Sequence, residues 1–325
     1  MARYLVTGAA GFIGSQVTAE LLARGDQVLG LDNLNDAYDP RLKEWRLARL
    51  TPHPAFTFRH MDISDADALA SVVDQGPFEA VINLAARAGV RASVRSPELY
   101  VQTNLVGTLR LLELCRSHGI RKFLLASTSS LYGAHNRRPF AEDADISRPL
   151  SPYAATKGAA EMLCHSFHAL HGLDVTILRY FTVYGPAGRP EMSIFRFVQW
   201  VEEGRPVVLY GDGDQERDFT FVDDVVRGTL AALVPLGFEV INLGSDRPVA
   251  LRALLQAIER LAEKPAIIDQ RPEAPGDVRA TWADIRKAGR LLGWEPRVDL
   301  ESGLRACLDW YRAERSWAST IPTLD

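Results

Sequence analysis

Tyr4-Leu5-Val6-Thr7-Gly8-Ala9-Ala10-Gly11-Phe12-Ile13-Gly14, near the start of the chain, decides the fold. Tyr4 to Thr7 read as a short buried strand. Glycines then fall at 8, 11 and 14, and helical apolar spacing follows over residues 16–24. Val28-Leu29-Gly30-Leu31 is the next strand and ends on Asp32. Strand, glycine turn, helix and second strand make a βαβ unit. Its glycines let the backbone approach a pyrophosphate, and its helix points N–H groups at the anion. Asp32 falls about 20 residues beyond the turn, where a carboxylate accepts from adenosine ribose hydroxyls and repels a 2′-phosphate. That favours NAD. Arg41, Lys43 and Arg46 lie downstream and leave NADP open.

Outward from this unit, strand and helix signals alternate. Phe56 to His60 leads into Asp62-Ile63, Ala80-Val81-Ile82-Asn83-Leu84 into Ala85-Ala86, and Phe123 to Ser127 precedes a helix. Val175 to Arg179 follows it. Short apolar strands separated by helices predict an α/β fold, a Rossmann-type doubly wound parallel sheet. Ligands bind such sheets beyond the carboxyl ends of the strands. The pattern loosens after Phe181, as expected of a smaller C-terminal substrate domain, and Val240-Ile241-Asn242-Leu243 reads as a late core strand. The expected division is 1–181 plus about 222–262 for dinucleotide binding, and about 182–221 plus 263–325 for the substrate.

The 325 residues are 47% hydrophobic and 24% charged with a net charge of -4, the composition of a soluble globular protein. No basic run marks a nucleic-acid face. No apolar run reaches the ~18 residues of a membrane helix, and a first strand expected from Arg3 leaves no room for a signal peptide. Cys115, Cys164 and Cys307 read as buried thiols of a reducing compartment, neither a disulfide set nor a metal site, so a cytoplasmic protein without metal is expected. Trp282, Trp294, Trp310 and Trp317 read as packing residues.

Ser151-Pro152-Tyr153-Ala154-Ala155-Thr156-Lys157 carries the candidate chemistry. Tyr153 and Lys157 stand at i and i+4, one above the other on a helix face. An ammonium beside a phenol favours its charged form, giving a general base usable near neutral pH. Ser151 suits the N-cap and Pro152 the first helical position.

Gly8-x-x-Gly11-x-x-Gly14, Asp32, Asp62, Leu84-Ala85-Ala86, Ser127-Thr128-Ser129, Tyr153-x-x-x-Lys157 and Arg179-Tyr180-Phe181 together resemble the extended short-chain dehydrogenase/reductases over nearly the full chain. Within them the likeness is to nucleotide-sugar 4-epimerases. Phe181-Thr182-Val183-Tyr184-Gly185-Pro186, Arg189-Pro190-Glu191-Met192 and Arg217-Asp218-Phe219-Thr220-Phe221-Val222-Asp223-Asp224 resemble UDP-glucuronate 4-epimerases in particular.

The resemblance implies the roles. Gly8, Gly11, Phe12, Ile13 and Gly14 would hold the NAD pyrophosphate, Asp32 and Asn33 the ribose, and Asp62 and Ile63 the adenine. Leu84, Ala85, Ala86 and Tyr180 would line the cofactor cleft. Tyr153 would take the proton from the sugar O4 as the C4 hydride leaves, with Thr128 relaying or orienting it and Lys157 also holding the nicotinamide ribose. The 4-keto sugar would turn over and be reduced on its other face. Arg217 would meet the UDP diphosphate, with Arg271 and Asp277 as further nucleotide contacts. Ser129 and Ser130 stand where related dehydratases and decarboxylases carry acids, which favours plain epimerisation. Asn83 stands where the family often has His.

A uronate substrate passes through a β-keto acid that could lose carbon dioxide unless its carboxylate is held rigidly. Arg189 can grip it bidentately, with Thr182 and Ser127 adding hydrogen bonds and Arg91 a second candidate. Many UDP-glucose 4-epimerases have Asn at the position of Thr182. The rival readings are a UDP-glucose/UDP-galactose 4-epimerase and a non-enzymatic NAD-sensing binding protein. The intact Thr128, Tyr153 and Lys157 disfavour the second. A homodimer is expected through the Tyr153 helix and a helix over 104–118, with Leu105, Leu109, Leu112, Met162 and Phe167 compatible.

Overall fold

Strands whose apolar residues run without polar alternation must be covered on both faces. The computed structural model, which describes residues 1–72, 75–272 and 278–323, shows such a sheet. In chain order the first elements are β1 (Arg3–Thr7), α1 (Phe12–Ala23), β2 (Gln27–Asp32), α2 (Arg41–Leu50), β3 (Phe56–His60), α3 (Ala66–Ala70) and β4 (Ala80–Asn83). Then come α4 (Val90–Arg95), α5 (Pro97–Tyr100), a π-helical turn (Val101–Val106), α6 (Gly107–Ser117), β5 (Lys122–Thr128), α7 (Pro152–His171) and β6 (Asp174–Tyr180). The rest is β7 (Thr182–Tyr184), α8 (Ser193–Glu202), β8 (Pro206–Tyr210), β9 (Glu216–Phe221), α9 (Val222–Ala231) and β10 (Phe238–Leu243). It ends with β11 (Pro248–Ala250), α10 (Leu251–Ala262), β12 (Ile267–Arg271), α11 (Arg286–Leu292), α12 (Leu300–Ala313) and α13 (Arg315–Ala318).

Seven parallel strands lie in the order β3-β2-β1-β4-β5-β6-β10. Neighbouring residues of one strand feed opposite cores. Val6, Ile82 and Leu124 join the core that includes α1, while Leu5, Val81, Phe123 and Leu125 join the core that includes α6 and α7. The expected late strand is β10, paired with β6. The winding direction reverses between β1 and β4, which puts the turns after these strands at one crevice.

Beyond β6, β7, β9 and β11 form a three-stranded sheet and β8 pairs with β12. The helix α10 packs on α8 and α12, not on the large sheet. We therefore propose a division in which α10 belongs to the smaller unit, shortening the expected 222–262 segment at its end. Trp45 of α2 meets Trp310 of α12 edge-on at 5.8 Å, and Trp310 meets Trp317 at 5.9 Å. Those tryptophans pack the two parts together.

Two helices depart from expectation. α1 starts at Phe12, four residues early, because the Gly11 N–H bonds the Gly8 carbonyl and Ser15 N–H bonds the Gly11 carbonyl. The helix expected over 104–118 is π-helical through Val106 before α6 begins. The three cysteines are free and buried. Among the described residues no helix is long and apolar enough to cross a membrane, and no cluster could hold a metal.

Candidate active site

At the crevice the chain leaves β1 and turns at Gly8 with φ +68°. A Cβ on Gly8 would lie 2.8 Å from the backbone of Leu84 and Ala85, and one on Gly14 would lie 2.0 Å from the Gly8 carbonyl oxygen. Any side chain there would force apart the 84–86 loop and the start of α1. Gly11 caps α1 without a side-chain bond, so its first N–H groups receive no cap side chain and form the natural seat of a pyrophosphate.

Asp32 ends β2, accepts from the N–H groups of Ala10 (3.2 Å) and Leu34 (2.8 Å), and lies 3.4 Å from Lys43 Nζ. Asn33 Nδ2 donates to Asp62 (2.7 Å). Burial pushes the Asp62 carboxyl up, but hydrogen bonds from Ser64 and Asn33 and the Arg87 charge outweigh it and hold it below its usual range. Thr7 Oγ1 donates to Asn83 (2.7 Å) and accepts from the Ala85 N–H (3.2 Å), so Asn83 fixes the loop through a neighbour. The Cβ-free cradle and the Asp32 carboxylate fit NAD. Of the cations that left NADP open, Arg41 is held by Asp39 and Thr320, and Arg46 by the carbonyls of Ala187 and Gly188. Lys43 lines the cleft, already beside Asp32.

α7 begins as expected: Ser151 Oγ accepts from the Ala154 N–H, Pro152 takes the first position, and Gly172 ends the helix in the left-handed region. Tyr153, Lys157 and Glu161 are thereby stacked at successive i+4 positions. Burial pushes the Tyr153 phenol above its ordinary pKa, opposed by the Thr128 hydrogen bond and the Arg189 charge. The expected tuning by Lys157 is corrected here. Its Nζ donates to the Ala126 carbonyl (2.8 Å), and burial lowers its own pKa to about 8, with Glu161 opposing.

Glu161 accepts two hydrogen bonds from Arg179 (3.1 and 2.7 Å) and one from Ser127 Oγ (2.5 Å). A hydroxyl has one proton, and Ser127 has committed it to a carboxylate that can only accept. Ser127 therefore offers the cleft lone pairs, and the expected donation from Ser127 to a sugar carboxylate is withdrawn. Thr128 caps the 3₁₀ turn Ser129–Tyr132 by accepting the Ser130 N–H at 3.1 Å.

One cleft of about 490 Å³ gathers these groups. Its wall includes Gly8, Gly11, Phe12, Ile13, Gly14, Asp32, Asn33, Asp62, Ile63, Leu84, Ala85, Ala86 and Tyr180 on the cofactor side. The same wall includes Ser127, Thr128, Ser129, Ser130, Tyr153, Lys157, Thr182, Arg189, Arg91 and Arg217. Arg91 lies over the Tyr210 ring, 4.8 Å from its centroid, linking α4 to β8. Arg271 is not brought to this wall; it ends β12 beside Asp269 (3.0 Å). Asp277 lies outside the described residues.

Three positioning groups escaped the sequence reading. Asn104, buried in the π-helical turn, bonds the Arg87 backbone twice (2.9 and 3.0 Å) and reaches Thr156 of α7 at 3.2 Å, tying the loop to the Tyr153 helix. No spacing announces it. Glu161 was reachable by one more i+4 step from Lys157. Glu191 lines the cleft and bonds Arg189, two residues before it.

The model of the NAD dependent epimerase/dehydratase family matches residues 4–244. The chain is 51% identical to a UDP-glucuronate 4-epimerase of Thermodesulfobacterium geofontis over 311 residues, 95% of this chain and 96% of that one. It superposes with a TM-score of 0.90 on the UDP-glucuronic acid 4-epimerase of Bacillus cereus in complex with UDP-glucuronic acid and NAD, at 38% identity over 96% of this chain and 99% of that one. A UDP-glucose 4-epimerase of Thermotoga maritima, solved with UDP-glucose, superposes at 0.89 with 34% identity over 96% of this chain and 99% of that one.

Proposed function

The chain belongs to the NAD-dependent epimerase/dehydratase family, and we propose that it inverts C4 of UDP-glucuronate to give UDP-galacturonate through a 4-keto intermediate. One observation carries the choice of a uronate. Arg189 and Tyr153 line one cleft. Arg189 Nη2 and the Tyr100 hydroxyl lie 3.9 and 3.7 Å from the Cβ position at Gly89, and the Tyr100 ring meets that of Tyr153 at 6.1 Å. A sugar whose O4 meets Tyr153 therefore holds its neighbouring C5 substituent within reach of a guanidinium. A carboxylate there gains a bidentate partner; a neutral hydroxymethyl group gains far less.

NAD, which the glycine turn and Asp32 would hold, would supply the acceptor and donor for the C4 hydride. Tyr153 takes the O4 proton as the hydride departs and gives it back after the sugar turns over. Thr128 holds the phenol in position. Arg189 and Thr182 keep the carboxylate of the β-keto acid from the alignment that assists loss of carbon dioxide. Ser129 and Ser130 supply no acid to expel water. Arg217 meets the diphosphate, and Arg91 is a second candidate for the carboxylate.

Arg189→Ala tests the reading by proton NMR of the sugar signals. It is expected to lower kcat/KM for UDP-glucuronate about 100-fold, as loss of a charge-paired contact does, with UDP-glucose binding changed only a few-fold. Equal losses for both sugars would move Arg189 to a phosphate role and revive the UDP-glucose reading.

The same proposal includes a homodimer, in the reducing cytoplasm that suits three free thiols. Leu112 and Phe167 are buried in the core and drop out of the expected interface. Met162 (61% exposed) and Leu99 (48%) leave apolar surface near α7 that a second copy would cover. Sedimentation equilibrium should give the mass of two chains; that of one chain would overturn the dimer.

A further inference from the structure

The Arg189 guanidinium has five N–H donors in a fixed planar fork. In this structure Arg189 Nε donates to Glu191 Oε1 at 2.8 Å, and Nη2 donates to the same oxygen. These are the two donors of the lateral edge. The end of the fork, both N–H groups of Nη1 and the second of Nη2, has no hydrogen-bond acceptor among the described residues. Glu191 and Arg189 both line the cleft that holds Tyr153, Thr128 and Thr182.

The base of Arg189 is fixed as well. Arg46, buried on α2, donates to the carbonyls of Ala187 (2.6 Å) and Gly188 (3.3 Å), and the Met192 N–H bonds the Arg189 carbonyl at 3.2 Å. Ala187 sits at φ +52°, a left-handed conformation that a non-glycine residue adopts only when its surroundings impose it. The far oxygen of Glu191 is shut from solvent and has no hydrogen-bond partner among the described residues. A buried carboxylate oxygen left unsatisfied is unfavourable, and such groups persist where function retains them.

We propose that Glu191 is a positioning residue for the uronate reaction, clamping the lateral edge of Arg189 so that its end fork faces the sugar carboxylate. The inference rests on the reading that Arg189 meets that carboxylate. A free arginine has many rotamers, and freezing them at binding weakens affinity; a clamp already in place removes that loss. A rigid fork also holds the carboxylate of the β-keto acid in one orientation. Loosening it should let some 4-keto intermediate lose its carboxylate as carbon dioxide, the C5–carboxyl electron pair passing into the enolate of the C4 ketone, which takes up a proton at C5, while the hydride removed from C4 stays with the cofactor as NADH.

The test compares wild type, Glu191→Ala, Glu191→Gln and Arg189→Ala with UDP-glucuronate, and with UDP-glucose read as KM or Ki. Glu191→Ala should raise KM for UDP-glucuronate about tenfold with kcat changed little, and should increase the share of turnovers that yield a UDP-4-ketopentose by NMR. Glu191→Gln, which keeps an acceptor for Nε, should restore most of the affinity. UDP-glucose constants should stay within about twofold, which also reports an intact fold. Unchanged uronate KM and products in Glu191→Ala, while Arg189→Ala still impairs the uronate, would overturn the clamp and leave the functional reading standing. Equal changes for both sugars would overturn it in favour of a scaffold role. If Arg189→Ala leaves the uronate unaffected, the functional reading fails, and the clamp with it.

Discussion

Tyr153→Phe is expected to lower kcat for UDP-glucuronate by about 10³-fold, near 4 kcal/mol of barrier, within the range of a lost acid–base group. Phenylalanine keeps the ring, its edge-on contact with Tyr100 at 6.1 Å, and the capped start of α7. What goes is the oxygen that takes the O4 proton. Thr128 cannot replace it, because its hydroxyl is bound up with the Ser130 N–H and Oγ. The folded protein should hardly notice: losing one hydrogen bond of a neutral phenol removes about 1 kcal/mol. NAD content after purification should also be unchanged. Initial rates by NMR, with NAD released from denatured protein measured beside them, decide it. A loss below tenfold would remove Tyr153 as the base.

How far the sequence could be read depended on whether each feature is local. The turn at Gly8, Gly11 and Gly14 is backbone chemistry within a few residues, and its consequence for α1 and Asp32 follows from the chain itself. The same holds for Ser151 and Pro152 starting α7, and for Tyr153 and Lys157 on one face. What spacing cannot report is depth. The phenol of Tyr153 is shifted upward, not downward, because burial outweighs the charges near it, and burial is settled by strands far away in sequence. Ser127 was legible as a residue at a strand end, yet the direction of its proton depends on Glu161 and Arg179 arriving from α7 and β6. Arg46 was read as a possible phosphate ligand; it instead braces the Arg189 loop across 141 residues of chain. Phe140 finds its partners at Trp282 and Asp284, well outside any local window.

Depth also separates stability from activity at the lysine. Lys157 is 3% exposed, and its pKa falls to about 8 because burial disfavours the ammonium more than Glu161 supports it. In the unfolded chain the same group titrates near 10.5. Between these values the unfolded chain binds more protons than the folded one, so this group makes stability rise with pH across that window. Below about pH 8 the full penalty is present, at most about 3 kcal/mol. Lys157→Met removes the charge while keeping the length, and leaves the Ala126 carbonyl without its donor, an offset of about 1 kcal/mol or more. The cofactor-free variant is therefore expected to be more stable than wild type at pH 7 by roughly 1–2 kcal/mol, a rise of a few degrees in Tm. The gain should shrink as pH climbs from 8 towards 10. Activity should move the other way, falling about 100-fold or more, because the variant loses the ammonium that lines the cleft and is proposed to hold the cofactor ribose. Thermal melts of NAD-stripped protein at pH 7 and pH 9.5, with turnover at pH 7, test both halves. A variant that melts lower at pH 7, or a difference that ignores pH, would mean that the ammonium is well solvated in the fold. The predicted combination, a sturdier protein that has lost its chemistry, would mean that the buried charge is kept for the reaction.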